Sequence, residues 1–527
     1  MDGSNNRPTA RTIRRVKTGC RTCKARRVKC DEQRPSCRRC TSTSRACMGY
    51  GSDHSSHLDL HLHRPSNAGP VGRLGAQDRL LLEWFMQANL QGVFPFPFWE
   101  SLVPQACYSE PAVLSCVLAL GSAHRRACVA KWSPDAQSEV ENLEATGLRH
   151  YNTAINVLKG AKLERSKAST RVTLTACLTF VIIEYLHKRP AQALVHLQHG
   201  LQILQDNHMR QHASDPVDDW LAEAFDRLDV QARLLSNKPG DSKSCQNTQP
   251  KGKFLKLISL HEARQHLDLL LSEAYRLQHQ GRIAEFSADT SLLFQALIAQ
   301  QQLQDDLRSW LQAYRSWCAK PSPCSSQPPV ALEERAARRL LLIYHTMLGI
   351  VTATALYSED ESVFDRHTLQ FASIVAASKE ILQMYQPVIT SPTSSVAHCT
   401  RQFTFTSDIG LVPVLYYTAL KCRDPEVRGT AVSMLDTQAH QEGIWEGPTA
   451  ALIVAEMIRL EQESPGEGDI DKGVPSGSSV PQLWRVSDVQ VELPDIYGTE
   501  LVVACRRKLK NGAWMDLERR YDGVSWY

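Results

Sequence analysis

A chain of 527 residues has the length of about three domains. With 43% hydrophobic and 22% charged residues it has ample material for a buried core, which excludes a wholly disordered chain, a collagen-like fibre and a small disulfide-stapled toxin. The net charge of +4 conceals an asymmetry, because residues 1–50 hold 14 Lys/Arg against 3 Asp/Glu while the remainder carries a net −7. A polyanion partner is therefore expected for the N-terminal arm alone. No apolar signal segment follows that arm, so secretion is not expected and the thiols should be reduced. The longest apolar run, residues 174–186, is too short for a bilayer span and carries Glu184.

Residues 1–14 read as a basic, disordered arm. Beyond them, six of the 16 cysteines fall between Cys20 and Cys47, spaced Cys20-x2-Cys23-x6-Cys30-x6-Cys37-x2-Cys40-x6-Cys47. This is one half-motif, C-x2-C-x6-C, written twice. A C-x2-C pair brings two thiolates to one metal, and zinc takes four ligands in a tetrahedron. Two separate tetrahedra need eight thiolates and only six are present. If two sulfurs each bridge both metals, six thiolates satisfy two zinc ions. The internal repeat points to the first cysteine of each half, Cys20 and Cys37, as the bridging pair.

The run Gly19-Cys20-Arg21-Thr22-Cys23-Lys24-Ala25-Arg26-Arg27-Val28-Lys29-Cys30-Asp31, with Pro35 ahead of Cys37, resembles the first half of the fungal binuclear zinc cluster transcription factors. The resemblance implies two zinc ions held by Cys20, Cys23, Cys30, Cys37, Cys40 and Cys47. It also implies a short helix after Cys23 whose end enters the DNA major groove, commonly at CGG-like triplets. Helical spacing puts Lys24 and Arg27 on one face of that helix and Arg26 and Lys29 on a neighbouring one, leaving Val28 to pack towards the cluster. An arginine there forks two donors onto guanine O6 and N7. Arg14, Arg15, Lys17, Arg21, Arg38 and Arg39 read as phosphate contacts, which position the module without reading bases. The domain is bounded at residues 15–50, and its basic run also reads as a nuclear import signal.

Residues 51–77 read as a flexible linker, and His54, His57, His61 and His63 as exposed polar residues within it. No heptad pattern follows the cluster: Gly and Pro recur, and Leu58, Leu60 and Leu62 alternate with period two. The fragment 1–77 is thus expected to be monomeric, with any dimer made through the body. From Asp78 the periodicity becomes helical, with Leu80, Leu81, Trp84, Phe85 and Ala88 on one face. Pro95 and Pro97 interrupt it. Further helices are expected near residues 110–124, 151–158, 174–186, 191–204, 257–277, 292–314, 332–357 and 369–384. Loops are expected at 236–253, 321–329, 387–398 and 464–482, the last disordered. A strand is expected at 486–493, and the basic, aromatic tail reads as an amphipathic packed segment. Phe98-Trp99-Glu100, residues 110–124 and residues 151–201 resemble the helical regulatory region that often follows the cluster in fungal regulators.

The fold class expected is mainly α: a small N-terminal binuclear zinc cluster DNA-binding domain, then a large all-α regulatory region at 78–463, a disordered loop at 464–482 and a C-terminal segment at 483–527. An enzyme finds little support, because the G-x-S-x-G elbow, the phosphate-binding G-x-x-x-x-G-K-[ST] and the dinucleotide G-x-G-x-x-G are all missing. His261 and His266 approach the zinc-protease H-E-x-x-H, yet at i, i+5 they stand about 140° apart on a helix and cannot share a metal. The reading is a nuclear, sequence-specific, RNA polymerase II dependent regulator. Its expected partners are double-stranded DNA and coactivators or corepressors, with no membrane. The alternatives are an enzyme or metabolite-binding protein with an accessory zinc arm, and a chromatin scaffold that grips DNA nonspecifically.

Overall fold

The computed structural model describes residues 22–23, 26, 28–31, 33 and 37–43 near the N-terminus, and 69–521 except 89–91, 134, 161–165, 207–214, 237–255, 288, 320–330, 358, 386–404, 438–440, 464–479 and 494–499. Two compact units divide the chain, Met1–Arg64 and Pro65–Tyr527. The linker tract up to residue 68, the loop tracts and the basic arm lie largely outside the described residues.

The second unit is built of long helices: α1 (Ala76–Gln87), α2 (Pro111–Trp132), α3 (Gln137–Gly160), α4 (Lys167–Leu186), α5 (Pro190–Asp206), α6 (Pro216–Ser236), α7 (Leu260–Phe286), α8 (Thr290–Cys318), α9 (Leu332–Thr354), α10 (Thr368–Tyr385), α11 (Val412–Lys421), α12 (Pro425–Thr437) and α13 (Gly447–Gln462). Their starts follow local chemistry. Proline opens α2, α5, α6 and α12, where its missing N–H costs nothing. Ser166 caps α4 by accepting from the Ser169 N–H at 3.2 Å. Ser259 caps α7 by accepting from the Glu262 N–H at 3.1 Å, while the Glu262 carboxylate reaches back to the Ile258 N–H at 2.9 Å. Helices α5 and α6 approach closely at Gly200, where a Cβ would meet the Phe225 ring at 2.1 Å.

By length and composition the stretches Pro111–Lys131 and Lys167–Leu186 would pass as membrane spans, but 78% and 67% of their apolar windows are buried inside the fold. They are core helices. Every residue of α4 from Phe180 to Leu186 is buried, including Glu184, whose carboxyl burial pushes up from its usual value.

The expected helices form with shifted bounds: the element expected at 151–158 runs over the whole of α3, the one at 257–277 continues to Phe286, and the one at 332–357 stops at Thr354. Helices α6, α11, α12 and α13 were not anticipated. The first is legible afterwards in Asp215-Pro216 and the apolar face Val217, Leu221, Phe225 and Leu228. The region is not purely helical. A three-stranded sheet of two-residue strands, β1 (Phe405–Thr406), β2 (Gln441–Glu442) and β3 (Trp445–Glu446), joins β1 and β2 in parallel and β2 and β3 antiparallel. In the tail, β4 (Val486–Glu492) matches the expected strand, and β5 (Leu501–Lys508) and β6 (Trp514–Tyr521) extend it into an antiparallel sheet. Along β5 burial alternates with period two, and the buried face includes Arg507. Its guanidinium donates to the carbonyls of Leu460 and Glu463, which closes the C-terminus of α13.

Two buried ion networks cross the body. Arg227 and Arg264 both donate to Asp408, at 3.0 and 3.1 Å, and lie over the rings of Phe96 and Phe94 at 4.3 and 4.6 Å. Glu461, fully buried, accepts from Arg423 at 2.7 Å, from Arg428 at 2.6 Å and from the Val486 N–H at 3.0 Å. Arg423 also donates to Glu361 at 3.0 Å. This second network ties α11, α12, α13 and β4 into one block.

Candidate metal centre and nucleic-acid interface

Among the described residues of the first unit the buried side chains are Cys23, Cys30, Cys37 and Cys40, which form their own cluster. Thr22 and Cys23 are helical, and the turn closes with Arg26 N–H to Thr22 carbonyl and Val28 N–H to Cys23 carbonyl, both 3.1 Å. Helical structure has ended by Val28. The expectation that Arg26 and Lys29 share a helix face therefore fails, because Lys29 lies past the turn. Val28 does not pack towards the cysteines either; it is 39% exposed.

The second half opens on a short helix, Arg38–Thr41, with Cys37 at its N-cap. Asp31 supplies the cap that Cys37 cannot: its two carboxylate oxygens accept from the backbone N–H groups of Arg38 at 3.0 Å and Arg39 at 3.2 Å. Slight desolvation pushes the Asp31 carboxyl up, but the hydrogen bonds from Arg39 and Arg38 outweigh it and hold the group below its ordinary value. The motif contained this residue without indicating the role, since the contact spans the two halves.

The Cys23 thiol lies 3.7 Å from that of Cys37 and 3.9 Å from that of Cys40. A zinc–sulfur bond of about 2.3 Å gives a tetrahedral edge of about 3.8 Å, so the three sulfurs fit corners of a zinc tetrahedron. Cys37 belongs to a second group as well, within 4.8 Å of the Cys30 thiol and an Asp31 oxygen. Both Asp31 oxygens accept capping hydrogen bonds, a structural role in which the carboxylate holds the two halves together. Among the described cysteines, Cys37 is common to both groups. Cys20 and Cys47 lie outside the described residues.

Cysteine spacing repeats between the halves, but charge does not. After its C-x2-C pair the first half carries Lys24, Arg26, Arg27 and Lys29, where the second carries Thr41, Thr43, Ser44 and Ala46, with Arg45 as its one cation before Cys47. The Arg26 guanidinium reaches across to the Thr43 hydroxyl at 3.4 Å. Lys29, Arg38 and Arg39 are exposed, as a polyanion surface requires. Lys24, Arg27, Arg14, Arg15, Lys17 and Arg21 lie outside the described residues.

Comparison with known proteins follows this division. The model of the fungal Zn(2)-Cys(6) binuclear cluster domain matches residues 18–54, and that of the fungal specific transcription factor domain matches residues 88–397. The aspercryptin biosynthesis cluster-specific transcription regulator of Emericella nidulans is 24% identical over 553 residues, covering 86% of this chain and 88% of that protein. The transcriptional regulatory protein moc3 of Schizosaccharomyces pombe is 57% identical over 47 residues, 9% of each chain. The Zn(2)-C6 fungal-type transcription factor afumD of Aspergillus fumigatus is 26% identical over 182 residues, 32% of this chain and 46% of that protein. No solved structure matches the chain.

Proposed function

Because this chain belongs to the fungal-specific transcription factor family, we propose that it is a sequence-specific DNA-binding regulator of RNA polymerase II transcription, reading CGG-like triplets through the turn after Cys23. The observation that carries this reading is the convergence of buried thiols on Cys37 inside a strongly basic segment. Cys20, Cys23, Cys30, Cys37, Cys40 and Cys47 would hold two zinc ions, with Cys20 and Cys37 bridging. Zinc here supplies the fold of a segment that has almost no apolar core. Lys24, Arg26, Arg27 and Lys29 are assigned to base edges, and Arg14, Arg15, Lys17, Arg21, Arg38 and Arg39 to phosphates. The charge contrast between the two halves supports placing the reading element in the first.

We assign residues 15–50 to DNA and 78–463 to regulation through coactivators or corepressors, with dimerisation, where it occurs, through the body and the nucleus as the place of work. The relative matched nearly end to end is named for one biosynthesis cluster, and a similarly narrow gene set is our expectation. Electrophoretic shifts of the full chain on a selected CGG-containing duplex and on a scrambled duplex test the reading. A preference of about 10³-fold or more is expected. Equal affinity for both would support the nonspecific scaffold instead.

A further inference from the structure

Most exposed apolar side chains of the body stand singly or in pairs, which is ordinary for a protein surface. Helix α8 differs. Its first half exposes four large apolar residues over two turns: Phe294 and Ile298 are 66% and 70% exposed, and Leu293 and Leu297 44% each. Among the described residues no other element exposes more than two. At about 100° per residue the four cover about 140° of the helix circumference. The fold holds α8 by a different face, on which Ala296, Leu303, Leu307 and Trp310 are buried. Gln300 fastens that face to α9 by donating to the Thr352 carbonyl at 2.8 Å. Helix α7 packs along α8, and Ile283 in its last turn is 49% exposed. Ile283 stands three residues before the end of α7 and Leu293 three after the start of α8, so the hairpin sets them at one level.

This face carries no charge. From Thr290 to Gln304 the sequence contains no Asp, Glu, Lys or Arg, and the flanking charges, Asp289 and Asp305, stand at its two ends. Interfaces deplete charge at their centre and keep it at the rim. A surface that meets its own copy has a further reason to be uncharged, because a twofold axis sets residues near it opposite themselves and would oppose like charges.

The area fits as well. At these exposures the five side chains present roughly 500 Å² of apolar surface, high in the range of about 300–600 Å² for the largest patch on a monomer. A standard interface buries about 800 Å² on each partner, about 57% of it non-polar, or about 450 Å². The patch supplies that share alone. Its pattern is also self-complementary. Phe294 and Ile298 lie two residues either side of Ala296, and Leu293 and Leu297 two either side of Gln295. An antiparallel copy therefore sets Phe294 of each chain against Ile298 of the other, and opposes the two helix dipoles.

We propose that this face of α8 is a homodimer interface, in which the helix packs antiparallel against α8 of a second copy. The proposal rests on the assignment of dimerisation to the body and names its surface; it does not rest on the reading of DNA. Sedimentation of the full chain under reducing conditions, with zinc and without DNA, should show a reversible dimer with a Kd of about 10 µM. Phe294→Lys and Ile298→Glu should each weaken it at least about 30-fold, the loss of a central anchor. The thermal midpoint of the diluted chain should stay in place, because both side chains are exposed in the single copy. Mixing the two variants should restore a dimer, since one contact then pairs opposite charges and the other keeps Phe294 against Ile298. Cys37→Ser should dimerise as the native chain does. A chain still monomeric at about 100 µM overturns the proposal together with dimerisation through the body, and leaves the patch to a foreign protein. A dimer of native strength in Phe294→Lys or Ile298→Glu overturns this face alone, as does a mixture that fails to associate. Loss of the dimer in Cys37→Ser moves the contact to the zinc unit and overturns it equally.

Discussion

In the first unit the described core is four cysteine side chains, and the one large aliphatic residue of the turn, Val28, faces solvent. In the second unit single helices such as α4 and α9 each bury twelve residues, and even the charged groups are withdrawn into networks. A segment of the first kind cannot close by burial, since chains of this length need a metal or disulfides to hold them. The body draws its stability from apolar area and paired charge. Perturbations that act on one unit should therefore leave the other untouched, and the largest expected effects test that separation.

Metal removal comes first. Structural zinc contributes about 10–16 kcal/mol to small folds of this kind, so chelation should unfold residues 15–50 and abolish DNA binding while the thermal transition of the body stays in place. Native mass spectrometry of the full chain should count two zinc ions. Cys37→Ser should release both, and Cys23→Ser chiefly one. A count of one ion in the native chain would break the shared-thiolate scheme, and a body transition that moves with chelator would break the separation itself.

The converse perturbation is Glu461→Gln. Burial pushes the Glu461 carboxyl up, but the guanidinium groups of Arg423 and Arg428 outweigh that and hold it below its usual value. Replacing the carboxylate leaves two buried arginines short of a counter-charge, a change that costs about 3–5 kcal/mol. Denaturant unfolding should report a loss of that order in the body. Zinc content and DNA affinity should be unchanged.

Legibility in the sequence divides along the same line. The cysteine spacing announces its ligand set, because metal geometry acts through residue type and short separations. What it leaves out is set by contact between the halves: Asp31 capping the Arg38–Thr41 helix, and Val28 turned outward once the helix stops short. In the body, helices with a one-sided apolar face such as α1 were legible from periodicity. Helices α11 and α13 were not, because they are buried on several sides, which removes the polar face that marks an amphipathic helix. The pairing of β5 with β6 was masked by Arg506, Arg507 and Lys508, whose charges read as solvent-facing. Arg507 points inward instead, to the carbonyls of Leu460 and Glu463 at the end of α13, 47 and 44 residues upstream, which no local pattern reveals.

Acid should also separate the units. Burial holds His124 down at about 4, and its Nδ1 accepts from the Trp84 indole N–H at 2.9 Å, a contact that requires the neutral ring. The unfolded chain, with an ordinary histidine near 6.5, binds the proton first. The stabilisation is therefore complete above pH 6.5 and is lost as pH falls towards 4, amounting to about 3 kcal/mol at most. Thermal midpoints of the body measured between pH 7 and 4.5 should fall, and His124→Gln, which keeps an acceptor for Trp84, should flatten the slope. Protonation of thiolates releases zinc over its own pH range, visible as metal loss and not as a shift in this midpoint. An unchanged slope in His124→Gln would show that other groups carry the acid response.

The smallest effects lie within the first unit, where reading and gripping should come apart. Arg26 sits in the turn after Cys23, and Arg38 on the short helix of the other half. Loss of a base-edge fork costs about 1–3 kcal/mol on the preferred site only, whereas loss of a phosphate contact weakens every duplex alike and lowers the logarithmic salt slope by roughly one. Arg26→Ala is expected to follow the first pattern and Arg38→Ala the second, measured by titration of matched and scrambled duplexes at several salt concentrations. Thr43→Ala refines the contrast. Its hydroxyl meets the Arg26 guanidinium at 3.4 Å in an exposed setting, a long contact worth less than about 1 kcal/mol. If that contact parks Arg26 before DNA arrives, its removal should leave affinity for the preferred site unchanged or slightly higher. A loss as large as that of Arg26→Ala would instead mean that the two halves present one joint surface to DNA, and the assignment of reading to the first half alone would fall.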